Sequence, residues 1–312
     1  MSARQLTALG TASQVPTRQR NHNGYLLEWD GEGFLFDPGE GTQRQMARAG
    51  QPASRIHRVL ITHFHGDHCL GLASMVQRFS LDRCAHPIHV HYPSDGQEYF
   101  DRLCNASIYH HAATIVAAPL EAADELTPIV QADSYTLYSH RLDHSVTTVG
   151  YRLEEAPRRT LVPDRLAAAG VVGPDIARLC RDGFVEVRGQ RVALDDVSVP
   201  HKAQVFAFVM DTRRCAGADA LARGADLLVM EATFAEADRD RADEYRHSTA
   251  SDAAHVARQA GVRVLAITHF SQRYSSVEPL LREARAIFPD TIALHDLQTV
   301  AIERPKRWDE SG

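Results

Sequence analysis

The hexapeptide HFHGDH at 63–68 constrains this chain more than any other feature, because it sets His63, His65, Asp67 and His68 in one turn directly after the apolar run Val59-Leu60-Ile61. Imidazole nitrogens and carboxylate oxygens at alternating and adjacent positions suit borderline divalent ions such as zinc, which take such ligands near tetrahedral geometry. These side chains can serve two metals, yet one loop cannot complete two coordination shells. The pattern therefore expects further His and Asp ligands arriving from distant strand ends.

Candidates for those strand ends are visible. Short runs rich in β-branched and aromatic residues predict strands at 24–29, 33–36, 58–62, 88–91, 205–210, 227–230 and 262–267. Between several of them, 3.6-residue patterns predict helices over 41–49, 70–79, 249–260 and 277–287. This mixture reads as an α/β fold, sheets covered by helices, and the chemically able residues fall where strands end, at Thr62-His63, Met210-Asp211, Met230-Glu231 and Thr268-His269. In α/β proteins sites assemble at that edge from separated loops. His269 follows the buried-type run VRVLAIT, and Asp211 follows VFAFVM. A carboxylate there can bridge two cations with its two oxygens, although a lone Asp after a strand is equally a helix N-cap. A further histidine comes from YSHRLDHSVTTVGYR, where both His140 and His144 are candidates and His144, at the entry to the strand VTTVGY, is preferred.

At 312 residues with 44% apolar side chains the chain can bury a sizeable core. No apolar run reaches the roughly 20 residues needed to cross a bilayer, and the N-terminal residues lack a signal core, so a soluble, cytoplasmic protein is expected. The cysteines Cys69, Cys84, Cys104, Cys180 and Cys215 show no CxxC spacing and read as free thiols. A formal net charge of −6 excludes nucleic-acid binding by uniform surface charge, so such contact must be local or metal-assisted. The segment 154–200, around GVVGPD, looks like an insertion into a domain spanning 1–312; from Arg152 to Arg191 it carries eight Arg and six acidic residues, a local balance of +2. On charge alone it is a solvated excursion.

Ligands in this order, HxHxDH followed by a His, an Asp and a last His, resemble the metallo-β-lactamase superfamily. More closely, PTRQRN at 16–21, FDPGEGTQRQ at 36–45, MDTR at 210–213, MEATF at 230–234, HST at 247–249 and THFSQRY at 268–274 resemble the ribonuclease Z family of short-form tRNA 3′-processing endonucleases. The likeness runs over nearly the whole chain. It implies an αββα sandwich with a protruding flexible arm, here the stretch GPDIARLCRDGFVEVRGQRV at 173–192 headed by Gly173 and Pro174, which would grip precursor tRNA. It implies two zinc ions per subunit, with manganese as the alternative: His63, His65 and His144 on one, Asp67, His68 and His269 on the other, and Asp211 bridging. It also implies a homodimer. Asp67 would orient the attacking water, while His247, paired with Glu231, would protonate the leaving ribose oxygen. Ser271, Arg273 and Tyr274 would hold the scissile phosphate, and Arg18, Arg20 and Asn21 the acceptor end. From the residues alone, HST is equally a helix start with Ser248 as N-cap. Arg18 stands where the family's PxKxRN loop has lysine, Met230 where histidine is common, and Leu72-Ala73-Ser74 replaces a Gly-Leu-Pro-Gly turn. The rival readings are a related hydrolase of small phosphodiesters, sulfate esters or lactones, and an RNA-binding protein without catalysis.

Overall fold

The structure is a computed structural model that describes residues 4–304. Two seven-stranded sheets carry it. The first runs in the order Thr299–Ala301, Gln5–Gly10, Gly24–Trp29, Glu32–Phe36, Ile56–Leu60, Ile88–Pro93, Ile115–Leu120. Its pairs are antiparallel up to Glu32–Phe36 and parallel beyond. The second runs Thr291–Ala293, Val264–Thr268, Leu227–Glu231, Val205–Val209, Thr148–Glu155, Tyr135–Leu142, Thr127–Gln131, and its first four strands are parallel. Val205–Val209 and Leu227–Glu231 are buried at every position, which is why they read as unbroken apolar runs rather than alternating ones.

The inner faces of the two sheets meet through aromatic rings. Phe36 lies 4.7 Å from Phe208, 5.5 Å from Phe206 and 6.0 Å from Tyr151, and Tyr25 lies 5.3 Å from Phe208. Such pairs add about 0.5–1.5 kcal/mol each beyond the area they bury. Outside the first sheet, helices Thr42–Arg48, Leu72–Leu81 and Gln97–Cys104 set Met46, Met75, Phe79 and Phe100 against Leu26, Val59 and Val90. Outside the second, Ala216–Ala222, Ala250–Ala260 and Glu278–Ile287 set Leu221, Ala254 and Leu280 against Val209, Leu228 and Ile267. The order helix, sheet, sheet, helix is the expected αββα sandwich. Every strand and helix predicted above is present with bounds within two residues, except that VTTVGY at 146–151 is the strand Thr148–Glu155, which runs four residues further.

Residues 132–135 and 154–204 make a second compact unit. Arg158–Leu161 pairs with Ser198–His201, and Phe184–Val187 with Gln190–Ala193. Together with helices Pro163–Ala168 and Pro174–Asp182 they enclose a small core of Leu166, Val171, Leu179, Val185 and Val197. Among the described residues no helix is long and apolar enough to cross a membrane.

Candidate metal centre

Strand ends from both sheets converge on one cluster. His63 Nε2 lies 2.9 Å from His65 Nδ1, and His144 Nε2 lies 3.3 Å from that same nitrogen. Asp211 Oδ2 is 3.6 Å from His63 Nε2, 3.7 Å from His144 Nε2 and 3.3 Å from His68 Nε2, while its Oδ1 is 3.1 Å from His269 Nε2. Asp67 Oδ2 sits 3.3 Å from His68 Nε2 and 3.4 Å from His269 Nε2. The expected ligand atoms form two groups, His63, His65, His144 and Asp211, and Asp67, His68 and His269, with Asp211 reaching toward both, and His247 makes a third group with Asp211 and His269.

The residues present fit divalent cations. Asp211 Oδ1 and His269 Nε2 are buried and without hydrogen-bond partners among the described residues, although they lie close to each other. Leaving such atoms unsatisfied costs about 1–3 kcal/mol apiece, a cost that a cation shared between them removes. The outward nitrogens are held in the way that metal-binding imidazoles need. His68 Nδ1 is 2.9 Å from Asp37 Oδ2, His269 Nδ1 is 2.7 Å from Thr233 Oγ, His63 Nδ1 is 3.0 Å from Thr62 Oγ, and His144 Nδ1 is 3.1 Å from the Arg246 carbonyl. Each of these rings therefore presents Nε2 inward. Thr62 and Thr233 act alike: each hydroxyl donates to a buried carboxylate, Asp37 or Glu231, and accepts from the ring N–H of His63 or His269.

Asp37, Asp211 and His269 each follow a strand and adopt positive φ, at 42°, 49° and 59°. That conformation is rare outside glycine and costs about 1–3 kcal/mol unless the surroundings enforce it. Asp37 is held there by the Leu60 carbonyl and by Thr62, and the His269 ring by Thr233. Asp211 is no helix cap; the N-cap position of the following helix is Cys215, which makes no side-chain capping bond.

Charges in the cluster are strongly coupled. Burial opposes ionisation of Asp211 and Asp67, but nearby imidazoles, His269 and His68 for Asp211 and His68 above all for Asp67, hold both well below the usual carboxylate range. Burial likewise opposes protonation of His68, yet Asp211, Asp67 and Asp37 raise it well above the ordinary value. His63, buried beside His68, is pushed well below it. The site's demand for positive charge falls on few groups, and a divalent cation meets that demand directly.

His247 completes the cluster. Its Nδ1 lies 3.0 and 3.1 Å from the two oxygens of Glu231, and its ring centroid lies 5.0 Å from that of His144 and 5.5 Å from that of His269. Burial disfavours its imidazolium, but Glu231 and Asp211 outweigh burial and raise it to about 9. Glu231 is fully buried and also accepts the Thr212 N–H. The alternative of Ser248 as helix cap is corrected: Thr249 caps Ala250–Ala260 in a reciprocal box with Asp252, and the Ser248 hydroxyl donates to the Thr212 carbonyl. His140 stays outside the cluster, with Nδ1 on the Arg141 carbonyl.

The other sequence candidates fall into three kinds. Arg20 is half-buried and donates to the carbonyls of Ser271 and Tyr274, and the Asn21 side chain donates to the Glu40 carbonyl; both tie PTRQRN to neighbouring loops. The Tyr274 hydroxyl accepts from the Ala235 N–H and donates to Asp238, while Ser271 Oγ accepts the Arg273 N–H. Arg18 and Arg273 are exposed, as are Gly173 and Pro174 at the head of a helix in the second unit. Sequence reasoning missed Asp37, Thr233 and Asp296. Asp296 receives the Thr11 hydroxyl, the Asn21 N–H and the Gln45 amide, and so ties three segments together. Asp37 and Thr233 stand inside the quoted segments FDPGEGTQRQ and MEATF, and Asp37 also follows the run GFLF directly, whereas Asp296 left no signal.

Fold and cluster together define a hydrolase-type metal centre of the metallo-β-lactamase superfamily, whose sequence model matches residues 17–163. The chain is 52% identical over 309 residues to the ribonuclease Z of Streptomyces avermitilis, covering 98% of this chain and all of that protein. It is 55% identical over 286 residues to that of Streptomyces coelicolor, covering 92% and 93% of the two chains. The chain belongs to the ribonuclease Z family. Among solved structures, the short form of human tRNase Z superposes with a TM-score of 0.70 at 23% identity, over 96% of this chain and all of that one. The metallo-β-lactamase fold protein YhfI of Bacillus subtilis gives 0.69 at 17%, over 96% of this chain and all of that one. At those identities the likeness speaks for the fold.

Proposed function

We propose that this protein is a metal-dependent endoribonuclease that removes the 3′ trailer of precursor tRNA by hydrolysis after the discriminator nucleotide, leaving a 3′-hydroxyl on the tRNA and a 5′-phosphate on the trailer. The observation that carries this reading is the convergence of the two ligand groups beside the His247–Glu231 pair, in a chain of the ribonuclease Z family. His63, His65 and His144 would hold one cation, Asp67, His68 and His269 a second, and Asp211 both; zinc suits this donor set, with manganese as the alternative. Bound there, the cations would make water nucleophilic at neutral pH and draw charge from the phosphate oxygens.

The chain's own groups divide the remaining work. Asp67 commits one oxygen toward His68 and His269, which leaves the other to orient the attacking water. His247, anchored through Nδ1 on Glu231, has Nε2 left to protonate the departing ribose 3′-oxygen. Ser271 and Arg273 lie on the loop after His269, suited to hold the scissile phosphate, while Tyr274 and Arg20 fix that loop. Arg18 and Asn21 would meet the acceptor end, and the second unit, with Gly173 and Pro174 exposed, would grip the tRNA body. A homodimer in the cytoplasm accords with the family likeness, and light scattering of the purified protein tests the dimer.

The decisive experiment incubates zinc-loaded protein with a precursor tRNA carrying a 3′ trailer and maps the product ends, beside Asp67→Ala. A single cut after the discriminator, lost in the variant, is expected. Intact hydrolysis of small phosphodiesters with no cut in the RNA would replace the reading with a small-ester hydrolase.

A further inference from the structure

His247 is anchored on its outer side as a metal ligand is. His68, an expected ligand, rests Nδ1 on Asp37, a buried carboxylate that also accepts the Thr62 N–H and hydroxyl. That hydroxyl faces Nδ1 of another expected ligand, His63. His247 rests Nδ1 on Glu231, a buried carboxylate that also accepts the Thr212 N–H and the Thr233 hydroxyl. That hydroxyl in turn faces Nδ1 of His269. Each sheet thus supplies one carboxylate that sets one imidazole directly and another through a threonine, and His247 alone of these four imidazoles is not among the expected ligands. A carboxylate behind the far nitrogen is a usual support of a metal-binding imidazole. His247 has that support, which leaves its Nε2 for the inner side.

The inner side agrees. His247 forms a group with Asp211 and His269 whose ligand atoms all lie within 4.8 Å of one another. Asp211 Oδ1 and His269 Nε2, 3.1 Å apart on almost wholly buried side chains, lack hydrogen-bond partners among the described residues. Both of these atoms belong to residues of this group, whereas the group Asp67, His68 and His269 holds only one of them. We infer that the second cation has two positions, one on Asp67, His68 and His269 and another on Asp211, His247 and His269. Both need the same nitrogen of His269, so they exclude each other. The first has Asp67 and Asp211 beside its imidazoles and is the richer in oxygen; the second has a single carboxylate and two imidazoles. Manganese, which prefers oxygen, keeps to the first position, and zinc divides between them. In the second position His247 Nε2 is engaged. On the endonuclease reading, on which this consequence rests, the departing ribose oxygen then lacks its proton donor, and the second position is a resting state of the centre.

Asp67→Ala takes a ligand from the first position only and should drive the ion to the second. Zinc affinity is measured by competition with a chromophoric chelator in the wild type, Asp67→Ala, His247→Ala and the double variant, with thermal unfolding as the check that each is folded. His247→Ala should change the weaker zinc affinity by less than about threefold in the wild-type background and lower it by about tenfold or more in the Asp67→Ala background. Anomalous scattering at the zinc edge, from crystals of zinc-loaded Asp67→Ala, locates the ion whether or not the His247 variants fold, and should find it bonded to His247 Nε2. Equal effects of His247→Ala in the two backgrounds, or an ion that stays between His68 and His269 clear of His247, overturns the second position. Neither readout involves RNA. Should both give the expected result while the wild type cuts no precursor tRNA, the second position stands and the endonuclease reading is what fails.

Discussion

Replacing Asp37 by Asn tests whether a residue outside the ligand set governs metal binding. The fully buried carboxylate accepts the Thr62 N–H at 2.7 Å, the Thr62 hydroxyl at 2.9 Å and the His68 Nδ1–H at 2.9 Å. An amide has one acceptor oxygen, so its NH2 must face either the Thr62 N–H or His68 Nδ1. The first arrangement orphans buried donors at about 1–3 kcal/mol. The second drives the His68 proton to Nε2, the atom that faces Asp67 and Asp211, and so competes with a cation. Burial alone pushes the Asp37 carboxyl upward, and a neutral amide escapes that burial cost, which offsets part of the lost bonding. The effect on metal should therefore exceed the effect on the fold. Loss of such a supporting bond weakens metal affinity about 10–100-fold, or about 1.4–2.8 kcal/mol. Competition with a chromophoric chelator measures the affinity, and thermal unfolding with and without added zinc measures the fold. Affinity within threefold of the wild type would refute the claim that Asp37 orients His68 for metal.

Further predictions concern separate parts of the molecule. His247→Ala should lower single-turnover cleavage by about 100-fold or more while RNA affinity is nearly kept; unchanged cleavage removes His247 from the mechanism. Deleting residues 157–197 should weaken precursor tRNA binding yet spare hydrolysis of bis(p-nitrophenyl) phosphate, whereas equal loss on both substrates would make the second unit structural. His91 is buried, and burial together with Arg58 and His89 pushes it down to about 3. Between pH 6.5 and 3 the unfolded chain takes up a proton that folded His91 refuses, so stability falls with falling pH across that window. The contribution is about 2 kcal/mol from pH 6.5 to pH 5, and His91→Leu should lose that part of the pH dependence in urea unfolding. A slope identical to the wild type would show that His91 is not the group responsible.

Much of the fold was legible because it is local. Strands buried on both faces leave continuous apolar runs, as at 205–209 and 227–231, and helices with one buried face leave a 3.6-residue pattern. The strand Gln5–Gly10 was not read, since QLTALG lacks the β-branched density of the others although nearly all of it is buried in the first sheet. Ile115–Leu120 was missed for a similar reason, because IVAAPL carries Ala and Pro where a strand signal needs branched or aromatic side chains.

By itself the sequence determined the ligand types and where they fall on the chain, because HFHGDH is a contiguous turn, Asp211 and His269 follow strand ends, and His144 lies in the short loop between two strands. Tertiary structure decided the rest: that His144 and not His140 joins the cluster, that Asp37 and Thr233 orient imidazoles 31 and 36 residues away, and that Arg20 spends its guanidinium on carbonyls of the His269 loop. Ligand chemistry belongs to single residues and their neighbours in sequence. Orientation belongs to pairs of atoms that only the packing of two sheets brings within hydrogen-bond reach, and no periodicity along the chain encodes such pairs.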